Sequence, residues 1–243
     1  MRAPAAAALL AAWESGFSLA APARPLALLA LGTDAVDGKL ADDPTVGERD
    51  RRLLRLRARV FGNALTALVS CPRCGEPAEV ALAISDLLLE SVPGEAGEHT
   101  LEAAGRAVRF RLPTAGDLVA AAALDEVALA RAAILDRCLL SVDGVPAADA
   151  PPLSELVVGK VAEAMAAADP QAGVELAIDC PECDAGWCAP FDIGAFFWAE
   201  LHAWAQRTLL DVHTLARAYG WREADVLALS SARRKLYVEM ATS

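Results

Sequence analysis

The chain has 243 residues, of which 55% are hydrophobic and 23% are charged, and its formal net charge is −11. This composition is typical of a globular protein and excludes an intrinsically disordered one. The acidic balance counts against binding to nucleic acid or to an anionic membrane, because both repel a negative surface. No apolar run approaches the roughly 20 residues of a membrane span, so we expect a cytoplasmic protein.

The first 44 residues predict a helical segment. Residues 4–17 have the pattern of a short amphipathic helix, and Trp13 interrupts the apolar run too early for a signal peptide. Pro25 is favourable at the first position of a second helix, Leu26–Leu31, which Gly32 ends. Polar residues and glycines then predict a loop over Thr33–Pro44.

A capping box marks the next helix. In Thr45-Val46-Gly47-Glu48, the threonine and the glutamate satisfy unpaired amides at a helix start, and we expect this helix to continue to Phe61. Strand-like residues then run from Ala64 to Ser70 into a Cys-Pro-x-Cys turn. The alternating residues of Glu79–Ile84 predict the returning strand of a hairpin.

The following residues predict a second hairpin and several helices. After a loop over Val92–Glu98, the strands Thr100–Ala103 and Arg106–Leu112 are joined by Ala-Gly. Caps and apolar spacing then predict helices over Thr114–Ala123, Glu126–Leu140 and Ser154–Ala168, with a loop over Val142–Pro152.

A second Cys-Pro-x-Cys turn lies between two further strands, Val174–Ile178 and Trp187–Phe191. Beyond it, apolar residues at helical spacing predict a long helix from Asp192 to Tyr219 and two short ones, near Glu223–Leu229 and Ala232–Met240.

Four of the six cysteines therefore lie at the tips of two predicted hairpins. A two-residue spacer lets both thiolates of a turn reach one metal ion, and two such turns supply the four sulfur ligands that Zn²⁺ prefers in closed structural sites. We predict a structural Zn²⁺ bound by Cys71, Cys74, Cys180 and Cys183. A redox role for one motif is the alternative, but redox cysteines usually start a helix, where the dipole lowers the thiol pKa.

The other two cysteines are expected to serve packing. Cys138 lies in an apolar helical stretch and is predicted to be a small buried hydrophobe. Cys188 is close enough in sequence to Cys183 to replace it as a ligand, although we favour packing in the returning strand.

These elements predict an α+β fold that is mostly helical, with a split zinc-ribbon-like pair of β-hairpins. The predicted division is an N-terminal segment, 1–44, and a single domain, 45–243. In that domain, residues 64–84 and 173–191 form the ribbon, residues 85–172 are an insertion, and residues 192–243 are C-terminal helices.

No motif in the sequence indicates an enzyme. A four-cysteine site has no open position for catalysis, and the three histidines are scattered without the spacing of a ligand pair. Four arginines recur along the helix that follows Thr45, and they either bind an acidic partner or form a solvated face balanced by nearby carboxylates. These are Arg49, Arg52, Arg55 and Arg59.

Three stretches resemble one known family. They are the Cys-Pro-x-Cys-Gly hairpin of residues 64–84, the phrase Phe-Arg-Leu-Pro-Thr-x-x-Asp-Leu of residues 110–118, and the C-terminal phrase Val-His-x-Leu-Ala-x-x-Tyr-Gly-Trp of residues 212–221. The family is that of T4-like baseplate proteins, the hub assembly chaperones of contractile phage tails and related contractile injection systems. The resemblance implies a non-enzymatic assembly role and binding to hub or spike proteins.

Two other function classes stay open at this point. A zinc-ribbon nucleic-acid-binding or regulatory protein is the main alternative, and the net charge of −11 argues against nucleic-acid binding. A thiol oxidoreductase is the other, and fast-reacting, metal-free thiols would identify it.

Overall fold

The computed structural model describes residues 4–31, 43–89 and 97–242. Most of the two predicted polar loops, 33–44 and 92–98, lies outside these ranges. Helices predominate and the sheets are small and antiparallel, which confirms the predicted α+β class.

The chain divides into two compact units, one of residues 41–193 and one that combines residues 1–40 with residues 194–243. The structure thus groups the N-terminal segment with the C-terminal helices, whereas the sequence-based division separates residues 1–44 from a single domain of residues 45–243. The two units are described separately below.

The unit of residues 41–193 contains two hairpins, a four-stranded sheet and several helices. Its elements in chain order are α3 (Val46–Phe61), β1 (Ala64–Ser70), β2 (Pro77–Ala83), α4 (Ile84–Leu87), β3 (Glu98–Ala103), β4 (Arg106–Arg111), α5 (Ala115–Ala121), α6 (Val127–Cys138), β5 (Leu139–Val142), β6 (Val145–Pro146), α7 (Glu155–Ala168), β7 (Glu175–Asp179) and β8 (Gly186–Pro190).

Helix α3 begins where the capping sequence predicts. The Thr45 hydroxyl accepts a hydrogen bond from the Glu48 N–H at 3.3 Å, while the Glu48 carboxylate pairs with Arg52 at 2.7 Å. The leucines of α3 share one buried face, and they are Leu53, Leu54 and Leu56. Their burial, rather than helix propensity alone, holds this helix in place.

The four-stranded sheet has the order β3-β4-β5-β6. Val108 and Phe110 of β4 are buried against Val157 and Val161 of α7, and these residues form the core of this region. Strand β5 differs from the prediction, which gave a helix to Leu140 and a loop from Val142. The helix ends at Cys138 because the next residues pair with β4, where Val142 lies opposite Val108.

A buried carboxylate fixes the N-terminus of helix α5. The Asp117 side chain completes a capping box with Thr114 and also binds Arg111 and Arg137, each at 2.6 Å. Burial raises the pKa of Asp117, but the hydrogen bonds from Arg111, the Thr114 N–H and Arg137 outweigh it and hold that pKa well below its usual range. Cys138 is fully buried beside this cluster, as predicted.

The other unit is helical within its described residues. Its helices are α1 (Ala6–Phe17), α2 (Arg24–Leu29), most of α8 (Ile193–Tyr219), α9 (Glu223–Leu227) and α10 (Ser231–Thr242). Trp13 of α1 donates a hydrogen bond from Nε1 to His202 Nδ1 at 3.0 Å. A Cβ on Gly16 would lie 2.5 Å from the Trp198 ring, so glycine permits α1 to lie directly against α8.

Candidate metal centre

Each cysteine pair lies at the tip of a two-stranded hairpin. Strands β1 and β2 pair from Ala64 opposite Ala83 to Ser70 opposite Pro77, and the first turn follows immediately. Strands β7 and β8 pair in the same way and end with Asp179 opposite Gly186. The split pair of hairpins predicted from the sequence is therefore present.

The two turns have the same backbone hydrogen bonds. In the first, the Cys71 N–H donates to Glu76 O, and the Gly75 N–H donates to Cys71 O, both at 2.9 Å. In the second, the Cys180 N–H donates to Ala185 O at 3.0 Å, and the Asp184 N–H donates to Cys180 O at 3.1 Å.

The residue after the second cysteine of each turn has a positive φ. Gly75 has φ 78°, which glycine adopts without steric cost, and Asp184 has φ 54°, which aspartate tolerates better than most residues. This left-handed residue turns the chain back toward the first cysteine, so both thiols of a turn project from the same side.

The four sulfur atoms of the two turns all lie within 4.8 Å of one another. Cys71 Sγ lies 3.8 Å from Cys183 Sγ, and Cys74 Sγ lies 3.6 Å from Cys180 Sγ, across a separation of more than a hundred residues in each pair. All four are free cysteines. The hairpins thus bring together the four residues that the sequence predicts as ligands.

These distances match a tetrahedral metal site. An ion bound to four thiolates at about 2.3 Å separates the sulfur atoms by about 3.8 Å, which is the spacing observed between the turns. Four sulfur donors also suit Zn²⁺ better than Mg²⁺ or Ca²⁺, which prefer oxygen ligands. The donor set and its spacing therefore fit a closed structural site.

The cysteine thiols of the cluster differ in pKa. Backbone N–H groups, first that of Cys74 and then that of Arg73, lower the pKa of Cys71 to about 6 against the effect of desolvation. At Cys74, the Glu76 N–H lowers the pKa, but desolvation and the neighbouring thiols raise it to about 12. A cation that binds all four sulfurs must therefore displace protons.

Burial differs within each turn. The first cysteine of each pair, Cys71 or Cys180, is buried, whereas Cys74 is exposed and Cys183 is half-buried. Cys188 lies in β8 outside the sulfur cluster, and its side chain is exposed rather than packed as predicted. Cys188 lies five residues beyond Cys183, in the returning strand rather than in the turn, so it is not part of the sulfur cluster.

The arginines of α3 occupy different environments. Arg49 is buried and its Nε lies 2.7 Å from Asp50 Oδ1, so its guanidinium pairs with a carboxylate of the same helix. Arg52 pairs with Glu48, and Arg59 is half-buried. Arg55 is the exposed member of the set. Binding of an acidic partner by these arginines stays a prediction.

The sequence does not single out two further arginines that the structure buries. Arg51 is 1% exposed and its Nη2 lies 3.7 Å from Asp169 Oδ1. Arg57 donates from Nη1 to the carbonyls of Gly62 and Ala64 at 2.8 and 2.6 Å. Arg57 therefore ties the end of α3 to the start of the first hairpin. Its spacing of three and four residues from Leu54 and Leu53 is the sequence signal for its burial, but not for these contacts.

Among the described residues, none of the helices has the length and apolar character that a membrane span requires.

Comparison with known protein families finds a match to the family model described as T4 bacteriophage base plate protein, over residues 27–198. Neither the curated proteins nor the solved structures contain a match to this chain. The matched range includes both cysteine turns, while the C-terminal phrase at residues 212–221 lies beyond it. Since the family model covers more than half of the chain, the protein belongs to the T4 bacteriophage base plate protein family.

Proposed function

We propose that this protein acts in the assembly of the baseplate hub of a contractile phage tail or contractile injection system. It works as a non-enzymatic assembly factor or structural component, by binding hub or spike proteins, and this step takes place in the cytoplasm. The observation that carries the proposal is the family match over residues 27–198, which supports a structural or assembly role in a baseplate.

A structural metal ion is part of this proposal. Cys71, Cys74, Cys180 and Cys183 would hold Zn²⁺, and four thiolates leave no position for a reacting water or substrate. The ion would stabilise the fold, because the site exists only when two distant hairpins meet. The described spacing of 3.8 and 3.6 Å between sulfurs of opposite turns supports this assignment.

The net charge of the chain favours association with other proteins over binding to nucleic acid. A net charge of −11 opposes contact with phosphates, whose neutralisation supplies most of the affinity of nucleic-acid-binding proteins. Arg55 on the exposed side of α3 offers a cation to an acidic protein surface.

The proposal is tested by co-expressing the tagged chain, one at a time, with the hub and spike proteins of the same contractile particle. We expect a complex with at least one of them that survives affinity capture and size-exclusion chromatography. Binding to none of them would contradict the proposal. Tight nucleic-acid binding that weakens steeply with salt would favour the zinc-ribbon alternative instead.

A further inference from the structure

Helix α6 is apolar but largely uncovered. Of its twelve residues, only Cys138 is buried, while Val127 is 85% exposed and Leu129 is 54% exposed. A helix this short is marginal on its own in water and normally depends on packing of its apolar face. An uncovered apolar helix of this kind is typical of a surface that another element covers in the functional assembly.

An apolar trough runs between α6 and α7. It encloses a cavity of about 320 Å³ whose lining is almost entirely apolar. The apolar residues that line it are Val127, Ala130, Ile134, Leu135, Val158, Ala162 and Met165. Alanines at the middle of both walls leave room for the side chains of an incoming segment.

The trough continues into a second cavity, of about 460 Å³, because Ile134 and Met165 line both. The lining of the second cavity also includes Pro113 and Asp169. The lining residues of α7 extend from Val158 to Ala166, which corresponds to about 12 Å along the helix axis. This length accommodates two to three turns of an α-helix.

Arg131 is the charged residue that lines the first cavity. Its side chain is exposed, and no carboxylate of the described residues forms a salt bridge with it. The lining residues of α6 form an apolar stripe from Val127 to Leu135. Arg131 lies at the midpoint of this stripe, four residues from each end. A cation in an apolar trough is stabilised when a carboxylate of the occupant pairs with it.

The position of Arg131 argues against a second copy of this chain as the occupant. If two copies paired through α6 about a two-fold axis, the central residue of each stripe would face its own counterpart. Arg131 would then meet the partner's Arg131 in an apolar contact, and like charges repel most strongly where water is excluded.

We propose that the trough between α6 and α7 binds an amphipathic helix of another baseplate protein. The apolar face of that helix fills the trough, and a carboxylate near its middle pairs with Arg131. This inference rests on the proposed function, because it identifies the surface by which the chain would hold a hub or spike protein. Helix-in-groove binding uses apolar anchors at helical spacing, and the charge pair with Arg131 fixes the register of the bound helix.

The test is the affinity of the full-length protein for each hub and spike protein, measured by isothermal titration calorimetry for two trough variants. Ala162→Trp fills the trough, and we expect binding at least about tenfold weaker. Arg131→Glu places a like charge against the occupant's carboxylate, and we expect binding about thirtyfold weaker or more.

The chain offers matched controls on the opposite face of α7. Ala167→Trp adds the same ring at an exposed position, and Lys160→Glu makes the same charge change away from the trough. Both should bind as the wild type does, and circular dichroism should give all four variants the wild-type helix content.

The outcomes separate the two proposals. Wild-type binding that neither trough variant weakens overturns the docking site and leaves the assembly role standing. If the wild-type protein binds none of the hub and spike proteins, both the docking site and the assembly role are overturned. A homodimer that Ala162→Trp dissociates, detected by light scattering, would show that a second copy occupies the trough and would also overturn the docking site.

Discussion

Gly47 and Asp169 meet at the N-terminus of α3, where the Gly47 N–H donates a hydrogen bond of 2.7 Å to Asp169 Oδ2. The Asp169 carboxylate is also stabilised by the positive N-terminal end of the helix dipole. Its Oδ1 lies 3.7 Å from Nη2 of the buried Arg51. Helix α3 leads into the first hairpin, and the residues after Asp169 lead into the second. This contact therefore helps to align the two hairpins independently of any metal ion.

Replacement of Gly47 by alanine should destabilise the protein. A Cβ at this position would lie 1.7 Å from Asp169 Oδ1, so the carboxylate must move and its hydrogen bond is lost. Overpacking of this kind costs about 1–3 kcal/mol, and we expect Gly47→Ala to lower the free energy of unfolding by that amount. Urea denaturation followed by circular dichroism measures the change.

Gly159 provides the matched control for this substitution. It lies in α7, and a Cβ there meets nothing within 4 Å. Because alanine favours the helical backbone more than glycine does, Gly159→Ala should raise the free energy of unfolding by about 0.5–1 kcal/mol. Equal effects of the two substitutions would show that the contact with Asp169 does not constrain residue 47.

The Asp117 cluster should make stability depend on acid pH. The folded protein holds the pKa of Asp117 well below its usual range, so the ionised carboxylate contributes its full stabilisation above the unfolded-state pKa of about 3.9. That contribution is lost as the pH falls below this value toward the folded-state pKa. Urea denaturation should therefore show a progressive loss of stability that begins near pH 5 and continues below about pH 3.

Replacement of Asp117 by asparagine should remove much of this acid dependence. At neutral pH, Asp117→Asn should also cost roughly 3 kcal/mol, because Arg111 and Arg137 lose a buried carboxylate that binds both. Asp125→Asn, at an exposed carboxylate, is the control and should change stability by less than about 0.5 kcal/mol. An unchanged acid slope in Asp117→Asn would place the responsible carboxylate elsewhere.

Removal of the metal should loosen the fold without unfolding every element. An ion that binds only the folded chain stabilises it by about 4 kcal/mol when its free concentration is a thousandfold above the dissociation constant. We therefore expect a chelator to lower the melting temperature of the wild-type protein, measured by calorimetry. In Cys71→Ser, which lacks a ligand, the chelator should have little further effect, and a chelator-resistant wild type would contradict the metal assignment.

The sequence is sufficient to predict the hairpins and their cysteines because the signals are local. The alternation of Val80 and Leu82, the two-residue spacer and the turn at Gly75 each act over a few residues, and all three appear in the structure as expected. The same holds for α3, where the cap at Thr45 and the leucine spacing determine where the helix begins and which face is buried.

Features that depend on distant partners are not visible in the sequence. Arg51 and Arg55 are both arginines of one helix, yet the first is buried because Asp169 lies opposite it, 118 positions later in the chain. Strand β5 was missed for a related reason: the run Leu-Leu-Ser-Val is too short to distinguish strand from helix by periodicity, and its pairing with Val108 decides the outcome.

The most direct test of the metal centre is native mass spectrometry of the purified protein, with Cys180→Ser and Cys188→Ser measured beside the wild type. We expect the wild type and Cys188→Ser to carry one Zn²⁺ per chain, because Cys188 lies outside the sulfur cluster. Cys180→Ser should lose most of its zinc, since the ion then lacks a buried thiolate. A wild-type protein without metal, or full zinc retention in Cys180→Ser, would contradict the four-cysteine site.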